Sequence, residues 1–492
     1  MITFLVCLSL LVGAYFVYGS FLDRKMGIDP NAPVPSQTHY DGVDYVPMPR
    51  WRIFLIQLLN IAGLGPVFGA VLGAAYGPVA FLWITLGGIF MGAMHDYVAG
   101  VISLRSGGEN LPSLTGTYLG GRARIFMLIF SAALMVLVGA VFMSQPAELI
   151  AADLTPIVPE GLLAEGLGGR SWLLLIVLLV IMAYYFLVTM MPIDKIVGRF
   201  YPIFGLLLLI MAVSVFGVLI FNGNYHIPEL TSLANHRFDA ENFPIMPMLF
   251  TTIACGAISG FHATQSPIMA RCMKSERDCR PIFYGAMISE SIIALIWAAI
   301  GMAFWGGVEG LNEAIVANGG AAALLIDEIT TTTLGEVMSV VVVVGVVACA
   351  ITSGDTAFRS ARLIIADFIG LSQKKFLNRA IICVPLFVAA LVILFCLPFQ
   401  TMWSYFSWLN QVLACFTLWT IVVYFARAKR GVMVGLVPAL VMTYVCSSYI
   451  FVSPLLFGME NRTLAYLLGG ALTIALAAMV WRKVRKDARL TA

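Results

Sequence analysis

The chain has 492 residues, of which 60% are hydrophobic and only 11% are charged, with a formal net charge of +3 at pH 7. Soluble globular proteins carry about 25% charged residues. The composition therefore excludes a soluble protein and predicts an all-α polytopic membrane protein. We expect the lipid bilayer as its surroundings and no nucleic-acid partner.

Apolar runs predict about 13 membrane spans, together with short partial or interfacial helices in the longer loops. The runs cover residues 2–22, 52–73, 78–103, 125–145, 172–191, 200–221, 245–268, 281–305, 335–353, 380–397, 401–425, 432–453 and 463–481. The first run has neither a basic leading segment nor a small-residue cleavage site. We therefore expect a retained span rather than a signal peptide.

The distribution of basic residues tests this division of the chain. All but three of the 29 Lys and Arg residues fall in the odd-numbered loops and the C-terminal tail, the exceptions being Arg170, Arg237 and Arg462. The positive-inside rule then places those loops and the C-terminus in the cytoplasm and the N-terminus outside.

The second span, QLLNIAGLGPVFGAVLG from Gln57 to Gly73, is too rich in Gly and Pro for an unbroken helix. Pro66 removes a backbone donor and disfavours helix before it, while Gly63 and Gly65 lower the cost of unwinding. Irregular backbone at membrane depth lines a cavity or is buried in protein, so the break and Asn60 are candidate substrate-binding groups. The alternative is a glycine face that packs closely against another helix.

The third span carries His95 and Asp96 in its cytoplasmic half, and ionisable groups inside a membrane are functional candidates by default. Asp96 either takes up and releases a proton or pairs with a Lys or Arg at the inner mouth. Gln145 and Glu148 end the fourth span around Pro146. There they could face the outer vestibule, where Glu148 would attract an ammonium group.

The seventh span repeats the interruption, with Gly256, Ser259 and Gly260 in its middle, followed by His262 and Gln265. His262 suits a proton relay or a donor to a substrate carboxylate, and the alternative is a structural histidine bonded to a backbone carbonyl. Both interruptions lie ~16–22 Å from the start of their spans at about 1.5 Å per residue, near the centre of the bilayer. We therefore expect one substrate site at two facing breaks.

Further candidates for coupling or gating are Glu290 in the eighth span and Thr352, Ser353 and Asp355 at the inner end of the ninth. These side chains offer oxygens for a cation or a gate. An ordinary helix stop, with Ser or Asp capping the next helix, is the favoured alternative for the second group. Residues 353–371 have the spacing of an amphipathic helix on the inner membrane surface.

Seven of the nine cysteines lie in apolar runs, where a thiol behaves as a small hydrophobe. Cys272 and Cys279 share one polar loop, but two sulfurs without a His or a second pair make a poor zinc site. The sequence thus predicts no metal site.

The two interrupted spans are five spans apart, so they start on opposite sides of the membrane. This arrangement is typical of an inverted repeat with substrate bound at the midplane. It divides the chain into an N-terminal span and loop (1–51), a first repeat (52–221), a second repeat (222–425) and two C-terminal spans with a basic tail (426–492).

Three long strings, NIAGLGPVFGAVLG, FMGAMHDYVAGVISLRSGGENLP and CGAISGFHATQSP, resemble the carbon starvation protein A (CstA) family of bacterial inner-membrane transporters. The resemblance runs from about Arg50 to at least Asp367. It implies a LeuT-like five-plus-five inverted repeat and uptake of peptides, or of pyruvate in some relatives. The chain lacks the large extra segment that longer members carry in their second half, so substrate preference does not transfer.

The leading hypothesis is secondary active import of short peptides with a proton or a sodium ion as the coupling ion, and we expect no cofactor. Pyruvate symport is the alternative, and an intramembrane enzyme or a channel represent other classes. No P-loop, HExxH motif or nucleophile elbow is present, which argues against ATP-driven transport and catalysis. The sequence leaves the oligomeric state open.

Overall fold

The computed structural model describes residues 1–191 and 197–490, and the regular elements of these residues are helical apart from one isolated bridge between Glu165 and Ser171. The α-helices of the first half are α1 (Ile2–Met26), α2 (Pro35–Thr38), α3 (Arg50–Ala62), α4 (Ala70–Ala74), α5 (Val79–Leu82), α6 (Ala93–Arg105), α7 (Leu111–Leu119), α8 (Gly121–Leu154), α9 (Glu160–Leu163), α10 (Trp172–Met190) and α11 (Val197–Phe221). Those of the second half are α12 (Phe250–Thr252), α13 (Gly260–Ala270), α14 (Ala286–Phe304), α15 (Val308–Ala317), α16 (Ala322–Ile369), α17 (Phe376–Cys396), α18 (Phe399–Arg427), α19 (Met433–Val452) and α20 (Arg462–Leu490). Short 3-10 and π-helical turns join some of them, among them a π-helical stretch that links α5 to α6.

Eleven helices among the described residues are long and apolar enough to cross a membrane, and the bent pair Arg50–Ala62 plus Gly65–Ala74 makes twelve. The chain is thus a multi-pass, all-helical membrane protein, as predicted. The remaining predicted span, the seventh, falls on α12 and α13, which are each too short to cross alone. The exact number of spans, the inverted repeat and the division into four segments stay predictions.

Loop contacts agree with the predicted alternation of sides. Odd-numbered loops meet one another through Met48 N to Cys272 O (3.0 Å), Arg105 Nε to Glu276 Oε1 (2.7 Å) and Arg271 Nη2 to Asp367 Oδ2 (3.1 Å). Even-numbered loops and the N-terminus meet through Met1 N to Glu229 Oε1 (2.5 Å), Asn312 Nδ2 to Ala75 O (3.0 Å) and Arg462 Nη2 to Glu241 O (2.9 Å). Each set of loops therefore gathers at its own end of the bundle.

The broken helices lie at the centre of the bundle. Helices α3, α4 and α13 pack against α6, α14, α16 and α18, while α8 lies along α16 and α18. By contrast, α1 and α20 bury the smallest shares of their residues among the candidate spans and form the periphery. The interrupted backbone is therefore screened from lipid by complete helices, as irregular structure at membrane depth requires.

The predicted surface helix over residues 353–371 is wrong, because α16 runs without interruption from the ninth span to Ile369. Arg359 and Arg362, which lie between the apolar residues of this segment, are fully buried. Both guanidinium groups lie against the carboxylate of Asp44 from the first loop, which offsets one of their two positive charges and so helps this part of α16 to enter the bundle. Short partial helices do occur in the long loops, as predicted, at α9 and α15.

Candidate functional site

The first helix break lies where Gly and Pro predicted it. Helix α3 ends at Ala62, Gly63 leaves the helical region at φ 11° and ψ −140°, and a π-helical turn begins at Gly65. The two halves are bent by 53°. A Cβ at Gly63 would lie 2.8 Å from the ring of Phe142, so the sharp turn also needs the smallest residue.

Part of the backbone freed by this break is already bonded. The hydroxyl of Ser353 on α16 donates to the carbonyls of Leu59 and Asn60, at 3.1 Å from each oxygen. In contrast, the side-chain amides of Gln57 and Asn60 are fully buried and make no hydrogen bond to any described residue. The side-chain amides, rather than the carbonyls of Leu59 and Asn60, are therefore the groups left without a partner next to this break.

The second break covers residues 253–259, between the end of α12 and the start of α13. It confirms the predicted interruption of the seventh span. Side chains from two other elements satisfy its backbone and its Ser259 hydroxyl. These bonds are Trp83 Nε1 to Ile253 O (2.9 Å), Gln411 Nε2 to Ile258 O (3.0 Å), Phe261 N to Asn410 Oδ1 (2.7 Å) and Ser259 Oγ to Asn410 Oδ1 (3.1 Å).

Sequence reasoning missed these supporting residues. The adjacent pair Asn410 and Gln411 lies inside an apolar run, and two neighbouring amides at membrane depth are a readable signal of buried polar contacts. Trp83 gave no such signal, because a tryptophan in a membrane span is ordinary. Its role depends on a partner 170 residues away.

The two breaks touch each other. A Cβ at Gly65 would lie 2.3 Å from the Cβ of Cys255, and one at Gly69 would lie 2.8 Å from the carbonyl oxygen of Thr252. Only glycine allows backbones to approach this closely. The sequence left open whether these glycines break a helix or pack it, and they do both. The two breaks therefore face each other, which is the arrangement that a single substrate site requires.

Gly256 and Gly260 serve packing in the same way. A Cβ at Gly256 would lie 2.5 Å from the Cβ of Ala294 on α14, and one at Gly260 would lie 2.4 Å from the carbonyl oxygen of Asn410 on α18. The second break is thus clamped between α14 and α18.

Four ionisable side chains form a continuous buried cluster beside the breaks, which we call the His–Asp–His–Glu cluster: His95, Asp96, His262 and Glu290. All four are fully buried. Asp96 Oδ1 lies 2.8 Å from His95 Nδ1, and Asp96 Oδ2 lies 2.8 Å from His262 Nδ1. On the other side of that ring, His262 Nε2 lies 3.4 Å from Glu290 Oε2.

This arrangement decides between interpretations that the sequence left open. Asp96 pairs with two histidines, so the alternative of a pairing with a Lys or Arg is wrong. His262 lies between two carboxylates, so its interpretation as a histidine bonded to a backbone carbonyl is also wrong. Candidates for coupling and for substrate binding, which the sequence treated as separate groups, belong to one connected cluster.

The charge of this cluster must be balanced from within. An unpaired charge buried in protein costs several kcal/mol, and neither oxygen of Glu290 has a hydrogen-bond donor among the described residues. Two carboxylates and two imidazoles are neutral together only when they hold two protons beyond those of the neutral rings. Removing one of these protons leaves a net negative charge in a buried site. The number of protons that the cluster holds therefore depends on which other charged groups enter the site.

Cys255 stands next to this cluster. Its thiol, a nitrogen of His262 and a carboxylate oxygen of Glu290 lie within 4.8 Å of one another, the one grouping of this kind among the described residues that could hold a metal ion. Cys272 and Cys279, the pair weighed from the sequence, do not belong to it. Cys272 is buried, and burial raises the pKa of its thiol to about 12.

Other predicted site residues lie apart from the cluster. Helix α8 continues through Pro146 to Leu154, so the fourth span does not end at Gln145 as expected. Gln145 is buried and donates to the exposed carboxylate of Glu148 at 3.0 Å. Gln265 is fully buried, and its amide nitrogen donates to the hydroxyl of Thr264, while its amide oxygen has no partner among the described residues.

The helix stop predicted at Thr352, Ser353 and Asp355 is wrong, because α16 passes through all three. The hydroxyl of Thr352 donates a hydrogen bond to the carbonyl of Ala348 in the same helix, at 2.7 Å, so Thr352 does not cap a helix. Asp355 accepts a short hydrogen bond from the phenol of Tyr201 on α11. Ser353 is the residue of the three that reaches the break.

A second charged cluster, the inner Asp–Arg cluster, lies toward the odd-numbered loops and consists of Asp44, Arg359 and Arg362. Arg359 Nη1 and Arg362 Nη2 lie 3.4 Å and 3.3 Å from Asp44 Oδ1. Burial alone would raise the pKa of Asp44, but the guanidinium groups of Arg362 and Arg359 outweigh it and hold that pKa below its ordinary value of 3.8. Arg359 also donates to the carbonyl of Val188 at 2.6 Å, at the end of α10.

Comparison with known families and proteins adds independent information. A family model described as carbon starvation protein CstA matches residues 1–163 and 168–314. An uncharacterized membrane protein of Haemophilus influenzae is 42% identical over 351 residues, which are 64% of this chain and 95% of that protein. Peptide transporter CstA of Campylobacter jejuni is 28% identical over 59% of this chain and 48% of its own length.

Another relative is the pyruvate/proton symporter BtsT of Escherichia coli, 27% identical over 58% of this chain and 47% of its own length. The chain therefore spans about half the length of these two named transporters. Among solved structures, a mutant manganese transporter of Eremococcus coleocola superimposes with a TM-score of 0.52 at 12% identity, over 91% of this chain and 99% of that one. The overall fold is thus similar to that of a known membrane transporter.

Proposed function

The chain belongs to the carbon starvation protein CstA family, and from this premise we propose that it is a proton-coupled secondary transporter that imports short peptides by alternating access. It would act in the bacterial inner membrane, with the N-terminus outside and the C-terminus in the cytoplasm. The observation that carries the proposal is the His–Asp–His–Glu cluster, because two imidazoles and two carboxylates, which are side chains that can carry protons, are buried directly beside two facing helix breaks.

Coupling follows from the charge balance of the cluster. Helix α13 carries His262 and begins at the second break, so a movement of this half-helix shifts the ring relative to Asp96 on α6 and Glu290 on α14. Exposure of the cluster to one side at a time would let protons enter from outside and leave inside. His95, Asp96 and Glu290 are then coupling residues, while Thr352, Ser353 and Asp355 keep a proposed role in gating.

Substrate recognition would use the groups that the breaks leave available. The N-terminal end of α13 favours a carboxylate, and the buried amides of Asn60 and Gln265 offer further donors and acceptors. Gly63, Gly65, Gly256 and Gly260 would let the substrate approach the backbone, with Ser259 and His262 at its side. An ammonium group would face Glu290 or, at the outer end, the Gln145–Glu148 pair.

Pyruvate symport is the second candidate. It is favoured by the pyruvate/proton symporter BtsT, which is as similar to this chain as the Campylobacter peptide transporter is. Pyruvate presents a carboxylate but no ammonium, so it would need the end of α13 and the amides but no acidic partner.

Proteoliposomes that contain the full chain separate these possibilities. Labelled di- and tripeptides and labelled pyruvate are offered under an inward proton gradient, an inward sodium gradient or neither. Accumulation of peptide above its outside concentration, with the proton gradient alone, is the expected result. If only pyruvate accumulates, the protein is a pyruvate symporter. If peptide accumulates only under a sodium gradient, the coupling ion is sodium and not the proton. Chemical conversion of the solute without accumulation would contradict transport.

A further inference from the structure

A cavity of about 340 Å³ opens beside the second break, on the side of the even-numbered loops. Thr251 and Thr252, the last residues of α12 before the break, form its inner end, and Ser407 of α18 and Tyr449 of α19 form its walls. The volume lies at the lower end of the roughly 300–1,000 Å³ that small-molecule pockets occupy. A solute of the size of a short peptide or smaller therefore fits there.

The charge of this cavity comes from one residue. Arg237, from the loop before α12, is the single charged side chain among its described lining residues, and no Asp or Glu lines it. The guanidinium lies 4.3 Å from the ring centre of Phe243 and 5.4 Å from that of Tyr76. Two aromatic faces hold the group in place without neutralising its charge, and among the described residues no carboxylate lies within 4 Å of it.

The other two arginines of the even-numbered loops are engaged differently. Arg170 donates to the carbonyl of Leu394 at 2.7 Å, and Arg462 donates to the carbonyls of Val452 and Glu241 at 2.7 and 2.9 Å. Their guanidinium groups are thus engaged in hydrogen bonds to backbone carbonyls. Arg237 instead presents its planar set of donors at a cavity, which is the geometry that recognises a carboxylate in a bidentate manner.

We propose that this cavity is the outer entry site of the transporter, where Arg237 captures the carboxylate of an incoming peptide or small carboxylic acid before the solute passes the second break. The inference rests on the proposed function and deepens it, because it names the group that selects carboxylates. Peptide and pyruvate share this chemistry, and the cavity holds no anionic partner for an ammonium group. Selection at this site therefore depends on the carboxylate.

Uptake kinetics test the role of Arg237. Removing a charge-assisted hydrogen bond costs about 1.5–3 kcal/mol, so Arg237→Gln is expected to raise the KM of uptake about 10–100-fold. The maximal rate and the accumulation ratio reached at saturating solute stay as in the wild type. Arg237→Lys keeps the charge but not the planar donor set, so its KM is expected to lie between those of the wild type and Arg237→Gln. Arg170→Gln is the matched control, since that arginine also stacks on a ring, Phe395 at 5.0 Å, but does not line this cavity.

Equilibrium binding to the purified full chain separates the entry site from the transport reaction. A tripeptide with a free C-terminus is expected to bind more tightly than the same tripeptide with a C-terminal amide, and Arg237→Gln is expected to abolish this preference. Pyruvate against its amide gives the second arm. Thermal unfolding of Arg237→Gln and Arg170→Gln confirms that both variants are folded.

The outcomes are distinguishable. Normal uphill uptake with an unchanged KM and an unchanged preference in Arg237→Gln would overturn the entry site and leave the transport proposal standing. Binding that requires the carboxylate and Arg237, without uphill uptake of any solute, would support the site and contradict the proposed function.

Discussion

Two buried charged clusters lie at different depths of the same bundle, and they differ in whether their side chains can change protonation state at physiological pH. The inner Asp–Arg cluster uses two guanidinium groups, which stay protonated at any physiological pH, against Asp44. The His–Asp–His–Glu cluster uses imidazoles and carboxylates, each of which can gain or lose a proton. At physiological pH the inner Asp–Arg cluster therefore keeps a constant charge. The His–Asp–His–Glu cluster can change its charge without any residue leaving.

From this contrast we propose that the two clusters have different tasks. A fixed ion pair between the first loop and α16 stabilises one arrangement of helices at the end where the odd-numbered loops gather. A cluster with variable proton content at the breaks suits ion coupling. Variants that remove one charge from each cluster should therefore fail in different assays.

The largest effect is expected from Asp96→Asn. The amide keeps the size of the side chain but cannot balance a protonated His262, so uphill uptake is lost and the inside concentration only reaches that outside. Exchange of labelled for unlabelled solute across the membrane is retained, because it requires no net proton movement. Uptake and counterflow in proteoliposomes measure both quantities.

The control is Asp278→Asn, which removes a half-buried acid whose partner Arg50, at 3.7 Å, is largely exposed. It should leave both uptake and exchange unchanged. Undiminished uphill uptake in Asp96→Asn would remove Asp96 from the coupling mechanism.

The next largest effect is expected from Asp44→Asn, which leaves Arg359 and Arg362 buried without a counter-charge. Removing one partner of a buried ion pair costs about 3–5 kcal/mol, so the free energy of unfolding in detergent should fall by that amount. Asp278→Asn, which breaks a pair whose arginine is 60% exposed, should cost less than about 1 kcal/mol. Equal free energies of unfolding for the two variants would show that the inner Asp–Arg cluster does not stabilise the fold.

A smaller loss is expected from Ser353→Ala, which removes the donor that satisfies the carbonyls of Leu59 and Asn60 at the first break. Leaving a buried acceptor unsatisfied costs about 1–3 kcal/mol. Ser289→Ala is the matched control, because that hydroxyl only returns to Gly285 within the same helical segment, at 2.9 Å. A loss no greater than that of the control would mean that the break does not depend on Ser353.

The smallest effect is the acid dependence of the inner cluster. The pKa of Asp44 is lower in the folded protein than its ordinary value of 3.8, so its contribution to stability is fully present above that value. The contribution fades as the pH falls below 3.8 and through the lowered pKa, when the carboxylate is protonated. Between neutral pH and about pH 3, the wild type should lose more stability than Asp44→Asn. Parallel unfolding curves for the two proteins would contradict this.

The sequence predicted those parts of the site that local chemistry determines. Pro66 and the glycines at 63, 65, 256 and 260 fixed where two helices break, because the effects of Pro and Gly on the backbone need no partner. The same local reasoning failed at Ser353 and Asp355. In isolation, the Ser353 hydroxyl or the Asp355 carboxylate would cap a helix. In the bundle, Ser353 bonds to the carbonyls of Leu59 and Asn60 and Asp355 bonds to Tyr201, and the helix continues through both residues.

Contacts between distant residues could not be predicted in this way. His95 and Asp96 are neighbours in the chain, but the link from Asp96 to His262 spans 166 residues and depends on the packing of α6 against α13. The burial of Arg359 and Arg362 depends on Asp44, 315 and 318 residues away. A single sequence holds no signal for such pairs, although intramembrane polar residues such as Asn410 and Gln411 mark where they should be sought.

Proton movement that accompanies the solute tests the central claim most directly. Proteoliposomes with a pH-sensitive dye outside are given unlabelled solute without any imposed gradient. We predict that the solute makes the outside medium more alkaline in the wild type, and that Asp96→Asn still exchanges labelled solute without this pH change. Solute uptake by the wild type with no change in outside pH, or an unaltered pH change in Asp96→Asn, would contradict the account.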